Sequence, residues 1–550
     1  MWTLDTLPQD IHLLILYHLE ASDLFRLQLV SHSFQTIFSD PVYLRTILSY
    51  YPKVREVREL LRQDLHALSS SSPNTEAEAH KLHSILNTIA TRYHHLTRGA
   101  SRHIQRLSLR ALDQSGHWLP TPQWDYHESQ PGGRLYHEHA SHLSLRSVNG
   151  VSKPYLFRPT LWSYDDGFVV YASTGEIQKG KIMGWQGAAE PGEEDRCLVV
   201  LDLQGVEQVE VEVPFDVMGK IIRNLRLKEG ILVVEWAEED AFHDLNMVDK
   251  VHRHFATAYK VTRMENTSQP LDSDLVPLTT TKLDVQFWSE WRIHFLGFPL
   301  TSRDHFFTTH TSTHYCMYYW QPNRSLWTGD EDQPIEALKV WDISQPNSYR
   351  PSEDPGGVNC ITSGKEGPNM VANFAMGMLG FLGVRQQARI SLMGLRLDSS
   401  AGTVTVRSNV FESGQGYFDP AERTWCANEV TFPFKASGPV YRREGHIELP
   451  GYRGHCSMET AAVEDIERWF LPVMDVVDEE ADVRYSLVET CFTGMMMAKK
   501  MVLRCKVFGE WKDLRDEVAT ELGVMGRIAG DERWVVGQNE RLQLVVARFQ

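Results

Sequence analysis

The apolar rhythm of the chain changes once. Over residues 1 to about 66 the apolar positions recur at steps of three and four, the period of a helix with one buried face. Leu7-Pro8 predicts a helix start, because the missing N–H of Pro8 costs nothing in a first turn. Ile11, Leu14, Ile15 and Leu19 then share one face. Ser22 offers a cap for a second helix carrying Leu24 and Leu27. Ser31 to Phe38 forms a third short segment, and Asp40-Pro41 is a cap-plus-proline start leading into Tyr43, Leu44, Ile47 and Leu48. The polar run Ser69 to His80 reads as an exposed loop. Beyond it, Leu82, Ile85, Leu86, Ile89, Tyr93 and Leu96 mark an amphipathic helix, with Gly99 placed to cap it. The pattern predicts helices to about residue 115.

From about residue 155 the period shortens to two. Leu198 to Leu203 and Ile231 to Trp236 are β-branched runs, Leu338 to Ile343 is a mixed one, and Val206 to Val213 alternates almost strictly. Asp166-Gly167, Glu229-Gly230 and Ser400-Ala401-Gly402 supply turns between them. The expected organisation is α+β: residues 1–50 and a helical linker region 51–115, then a β-rich domain over 116–550. Strand runs ending in Asp recur at Asp202 and Asp342 and are similar to the strand endings of WD-type propeller blades. Roughly 390 residues suit six or seven four-stranded blades. An irregular β-propeller is therefore the expected architecture, with β-sandwich domains as the alternative.

One segment carries a recognisable motif. In LPQDIHLLILYHLEASDLFRLQLVSHSF, Leu7 to Phe34, a Leu-Pro pair is followed by Asp10, an Ile11-x-x-Leu14-Ile15 helix and Leu19. Asp23-Leu24, Leu27, Val30-Ser31 and Phe34 complete it. This order of residues resembles the F-box family. His32 stands where the family usually has a basic residue, and Phe34 where Trp is common. The resemblance is confined to residues 7 to 48 of 550. It implies a non-catalytic, substrate-recognising subunit of an SCF-type E3 ubiquitin ligase. The partner-binding residues it implies are Leu7, Pro8, Ile11, Leu14, Ile15, Leu19, Leu24, Leu27, Val30 and Phe34. These would contact a Skp-type adaptor and, through it, a cullin, while the β-rich region would hold a protein substrate. Arg92 to Leu109 is similar to the connector of fungal F-box proteins with a β-rich C-terminal half. An interaction protein that uses the adaptor without a cullin is the alternative. Physics points the same way, since three helices this short cannot bury all their apolar residues against themselves.

Composition narrows the rest. A formal charge of −17, with no basic run to offset it, argues against nucleic acid as a partner. The longest apolar stretch, Met370 to Val384, is too short to span hydrocarbon and is interrupted by Asn373 and glycines. It reads as two buried strands or a packed loop, and no membrane association is expected. Seven cysteines form no C-x-x-C pair, which suggests reduced thiols in the cytoplasm or nucleus. The start, MWTLDTLPQD, lacks the basic residues of a secretory signal.

Candidate chemistry is sparse. His137, His139 and His142, His310 and His314, and His80, His83, His94 and His95 cluster without H-E-x-x-H or paired cysteines. They read as surface or loop histidines, so neither a metal nor a cofactor is expected. No G-x-S-x-G, P-loop or G-x-G-x-x-G occurs, and no catalytic residue is assigned. The acidic runs Gly329 to Gln333 and Val476 to Asp482 read as solvated loops. The densest aromatic group spans His310 to Trp327. In a strand Tyr318, Tyr319 and Trp320 must alternate in direction, so they cannot all enter one core. Trp320, Arg324 and Trp327 are the candidate substrate-binding residues, with the other rings packing between sheets.

Overall fold

The fold comes from a computed structural model. It describes residues 7–108, 162–174, 196–358, 367–411, 425–448 and 468–550. The stretches 20, 28–29, 68–74, 205–208, 246–249, 266–280, 295–296, 301–303, 322, 324–332, 388–391, 436–441, 479, 493–498, 508, 516–517, 519–520, 523–527 and 540–542 are excepted. The chain divides into two compact units. One joins Met1–Leu107 to Phe470–Phe492 and Met497–Gln550; the other comprises Ser108–Trp469 with Thr493–Met496.

The first unit opens with helices α1 (Gln9–Tyr17), α2 (Ala21–Leu27), α3 (His32–Ser39), α4 (Pro41–Ser49), α5 (Arg55–Ala67) and α6 (Thr75–Thr97). Local chemistry sets their ends. Asp40 caps α4 by accepting a hydrogen bond from the Val42 amide at 2.8 Å, with Pro41 in the first turn. Ser22 lies inside α2 and is not its cap. At the end of α6, Gly99 adopts φ +60° and its amide reaches the Leu96 carbonyl at 3.0 Å. A Cβ there would sit 2.3 Å from the Asp513 carbonyl oxygen, so glycine is needed for space as well as for conformation. Helix does not continue to residue 115 as the periodicity suggested. Strand β1 (His103–Ser108) follows.

The second unit is a series of four-stranded sheets built from sequential strands. The first holds β2 (Trp162–Asp165), β3 (Phe168–Thr174), β4 (Arg196–Asp202) and β5 (Val209–Glu212). Next come β6 (Lys220–Lys228) and β7 (Ile231–Glu238). The short β8 (His243–Asp244) and β9 (Lys250–His252) then intervene before β10 (His254–Glu265) and β11 (Thr281–Arg292). β6, β7, β10 and β11 make the second sheet, while β8 and β9 join β12 (Phe298–Pro299) in a small three-stranded one. The third sheet is β13 (His305–His310), β14 (His314–Gln321), β15 (Ile335–Asp342) and β16 (Asn369–Ala375), with α7 (Met376–Phe381) directly after it. The fourth is β17 (Leu392–Asp398), β18 (Thr403–Phe411), β19 (Trp425–Pro433) and β20 (Arg442–Glu448). Tight turns occur where the dipeptides placed them. Asp166 and Gly167 both have positive φ, as do Glu229 and Gly230, the geometry that matches strand twist in a two-residue hairpin.

Strand alternation makes these sheets cover one another. Leu232, Val234 and Trp236 of β7 face Phe168, Val170, Leu198 and Val200 of the first sheet. Ile231 and Val233 of the same strand face Phe306, Tyr315 and Met317 of the third. Tyr318 and Leu338 turn the other way, onto Val404 and Val430 of the fourth. A strand covered on both faces reads as a continuous apolar run, which explains Ile231 to Trp236. The Met370 to Val384 run differs from its expectation. It forms β16 and α7, and Met370, Met376, Met378 and Phe381 are exposed.

The chain then returns to the first unit. A fifth sheet holds β21 (Arg468–Asp478), β22 (Val483–Phe492), β23 (Lys499–Val507) and β24 (Glu510–Asp513). The sixth is made by β25 (Ile528–Gly530), β26 (Trp534–Gln538) and β27 (Gln543–Arg548), with β1 as the fourth strand beside β27. Within this unit a buried ion cluster ties helices to strands. Arg92 of α6 is fully buried and donates to Glu56 of α5 at 2.5 and 3.1 Å and to Gln550 at 3.2 Å. It also pairs at 3.0 Å with Glu532, in the β25–β26 turn, which accepts from Tyr93 as well. Burial raises both carboxyls, but the Arg92 guanidinium holds Glu56 below its ordinary range. The more deeply buried Glu532, close to Glu56 and Asp478, stays above it.

Candidate partner-binding face

Helix α1 is apolar on two sides, and only one of them is used. Leu16 is buried, as is His12, whose ring approaches the Tyr43 hydroxyl at 3.4 Å and the Phe34 ring at 6.3 Å. These contacts seat α1 on α3 and α4, whose Leu44, Ile47 and Leu48 are buried beneath. The other side presents Ile11, Ile15, Tyr17 and Leu14, the last of which is 62% exposed. Tyr17 stands edge-on to Tyr50 at 5.3 Å, and the Tyr50 hydroxyl donates to the Leu13 carbonyl at 3.3 Å. Asp10, Leu13, Leu14, Tyr17 and Tyr50 line an open depression of about 550 Å³. Val30, 67% exposed after α2, and Val42 add further apolar surface. Contiguous exposed apolar groups on a rigid helical frame mark a place where another protein covers them.

The family motif maps unevenly onto this surface. Ile11, Leu14, Ile15, Val30 and Pro8 are exposed; Leu7, Leu19, Leu27 and Phe34 are partly covered. Leu24 is a correction. It is fully buried where α2 lies against α6, so it holds the helices together and is not offered to a partner. Tyr17 and Val42 belong to the exposed set, and the half-buried Tyr50 borders it, although the motif names none of them. The spacing of Tyr17, three residues after Leu14, is the signal for the first of these. Residues 4–49 match the F-box-like family. This segment is an F-box-like domain. F-box domains bind a Skp-type adaptor, F-box proteins are generally non-catalytic, and such a domain suggests an adaptor for SCF-type ligases.

Beyond the F-box-like domain the comparisons are faint. No curated protein matches. Among solved structures, Trypanosoma rangeli sialidase with 2,3-difluorosialic acid, a covalent intermediate, is similar at 9% identity and TM-score 0.30, covering 72% of this chain and 54% of that one. The same organism's sialidase with sialic acid is similar at 8% identity and TM-score 0.31, covering 82% and 59%. The chain thus spans under two thirds of the length of those structures. A likeness this weak carries no argument here.

The aromatic cluster divides as alternation requires. Tyr318 is buried on one face of β14 with Trp320 packed beside it, and Tyr319 is buried on the other. Trp320 is half-buried, and its indole N–H donates to the Gln387 carbonyl at 2.8 Å. Arg324 and Trp327 lie outside the described residues. His310 and His314 are not surface residues: both are buried in strands, and His310 bonds the Ile231 carbonyl at 2.9 Å. His137, His139 and His142 lie outside the described residues. Among the described residues no three His, Cys, Asp or Glu side chains converge as metal ligands.

The buried carboxylates of the second unit are occupied by the protein itself. Glu235 accepts from Tyr315 at 3.0 Å and from Asn224 at 3.3 Å. Glu290 accepts from Thr257 and Ser352. Glu336 accepts from the Tyr318 hydroxyl and from the Gln386 and Gln387 amides. Cys316 and Cys505 are buried free thiols. In the Val476 to Asp482 run, Asp482 pairs with Lys53 at 2.7 Å and Glu480 with Arg58 at 2.8 Å. No helix is long and apolar enough to cross a membrane among the described residues.

Proposed function

We propose that this chain is the substrate-recognition subunit of an SCF-type E3 ubiquitin ligase. Its F-box-like domain would hold a Skp-type adaptor, a cullin would be recruited through that adaptor, and the β-rich region would select a protein substrate. The observation that carries this reading is the uncovered face of α1 within the family-matched segment. Ile11, Leu14, Ile15 and Val30 are 38–67% exposed, so covering what remains contributes about 0.5–2 kcal/mol for each side chain. The adaptor needs no catalytic group, because its contribution is to position a substrate near chemistry that other subunits perform. We read the successive four-stranded sheets of the second unit as blades of an irregular β-propeller, supported by their strand-by-strand order. The cytoplasm or nucleus is the proposed setting, consistent with free Cys316 and Cys505.

The test is recovery of a purified Skp-type adaptor by the full chain. A Leu14→Asp, Ile15→Asp double variant is expected to lose the adaptor while keeping its fold, since both residues are exposed. Equal recovery by wild type and variant would defeat the reading. Recovery of the adaptor without cullin would favour an F-box interaction protein that acts outside a ligase.

A further inference from the structure

Asn369 to Val384 plays no part in the reading above. The run contains no charged residue and no proline. β16 is an edge strand of the third sheet: β15 pairs with one side, and no described strand pairs with the other. An edge offers a row of free N–H and C=O groups, which proteins usually protect with lysine, proline or a bulge toward solvent. Neither lysine nor proline protects this edge; a bulge at Val371, where Met370 and Ala372 pair with the consecutive Trp341 and Val340, is its one irregularity.

The side chains divide into an anchored set and a free set. Phe374 meets Phe432 at 5.0 Å, and Leu379, Leu382 and Val384 root α7 in the core shared by the third and fourth sheets. Met370, Met376 and Met378 are exposed, and Phe381 is 83% exposed. A Cβ on Gly377 or Gly380 would meet nothing within 4 Å, so the outer side of α7 is open. Ile335, exposed at the start of β15, lies toward the same end of the sheet, where Ala337 pairs with Ala375.

We propose that the β16 edge and α7 form a docking strip for an extended segment of a client protein. The segment would add as a fifth strand beside β16 and set an apolar side chain against Met376, Met378 and Phe381. This deepens the adaptor reading and rests on it, the client being the protein that the ligase would modify. Two observations favour a peptide over a second copy of this chain. The strip runs over only Asn369–Phe381, whereas a stable dimer needs about 20–30 residues on each side. Two chains of charge −17 also repel each other, while basic flanks on a client segment are drawn in. Methionine side chains adapt to varied partners, so the strip fits a pattern of alternating apolar residues and not one fixed sequence.

The experiment is selection of a phage-displayed random peptide library on the full chain. Counter-selection uses a Met370→Lys, Phe381→Glu variant, whose changes fall at exposed sites. Enriched peptides are expected to alternate apolar and polar residues, carry Lys or Arg at their ends and lack internal proline. They should bind wild type at least about tenfold more tightly than the variant, and methylation of alternate peptide amides should abolish binding. Absence of that pattern, or equal binding to both proteins, overturns the proposal. So does a concentration-dependent dimer in sedimentation that Met370→Lys dissolves, since that assigns the edge to a second copy. Adaptor pull-down with the same proteins keeps the two readings apart: wild type that captures the peptides but not the adaptor retains the strip and refutes the ligase role.

Discussion

Replacing Arg92 with Met tests how the helices are held to the strands of their unit. The guanidinium is fully buried between Glu56 and Glu532, and Glu532 is itself 2% exposed. Removing the cation leaves two carboxylates close together with little water to screen them. Breaking a buried pair from one side costs about 3–5 kcal/mol, whereas replacing the whole group by neutral side chains is often close to neutral. Arg92→Met is therefore expected to lower the stability of this unit by about that amount in urea unfolding at pH 7. Adding Glu56→Gln and Glu532→Gln should restore most of it. The pH dependence has a definite sign. In the variant both carboxyls lose their cation, so their folded-state pKa values rise above the unfolded ones. The penalty then operates while they are ionised and fades as pH falls toward the ordinary carboxyl range. A loss below about 1 kcal/mol, or a triple variant no more stable than the single one, would refute a buried electrostatic tie.

Other outcomes follow from residues already placed. Leu24→Ala should cost about 2–5 kcal/mol as a core cavity, whereas Leu14→Ala should leave stability within about 0.5 kcal/mol and weaken adaptor binding; thermal melts and titrations separate the two. Gly99→Ala should destabilise the chain by more than about 1 kcal/mol, because its Cβ would meet the Asp513 oxygen at 2.3 Å. Gly219→Ala, with φ +66° but nothing within 4 Å, should cost less in the same assay. Burial lowers His294 to about 4 and His310 to about 3. Their stabilisation is complete above the unfolded value near 6.5 and drains as pH falls, by about 2 kcal/mol for each between pH 7 and 5. Urea midpoints at the two pH values measure this, and His310→Gln should shrink the difference by about 2 kcal/mol, leaving the His294 share.

Local order was readable wherever the residues that decide it are adjacent in sequence. The Asp40-Pro41 start, the Gly99 cap and the Asp166-Gly167 and Glu229-Gly230 turns are each set by backbone chemistry within a few residues. Alternation likewise separated Tyr319 from Tyr318 and Trp320. What escaped depends on distant partners. Leu24 and Leu14 look alike in a motif; only the approach of α6 buries one and spares the other. His310 is in a strand interior because the second sheet supplies a carbonyl for its ring, a relation that local spacing does not encode. The Met370 to Val384 run reads as core by composition. Nine of its fifteen residues are exposed, because β16 falls at a sheet edge and the outer side of α7 is uncovered.

The pairing of β1 with β27 has a consequence for synthesis. β1 ends at Ser108 and its neighbour begins at Gln543, with the Arg102 amide bonded to the Arg548 carbonyl at 2.7 Å. At roughly 5–20 residues per second, a ribosome takes about 20–90 s to make the chain between them. Throughout that interval the helices are already outside the ribosome while β1 lacks its neighbour. The sixth sheet therefore acts as a clasp that cannot shut until β27 has been made. A chain that stalls or is cut short before β27 would display an unpaired strand beside its partner-binding helices, giving chaperones and proteases a mark by which to tell it from one whose clasp is closed.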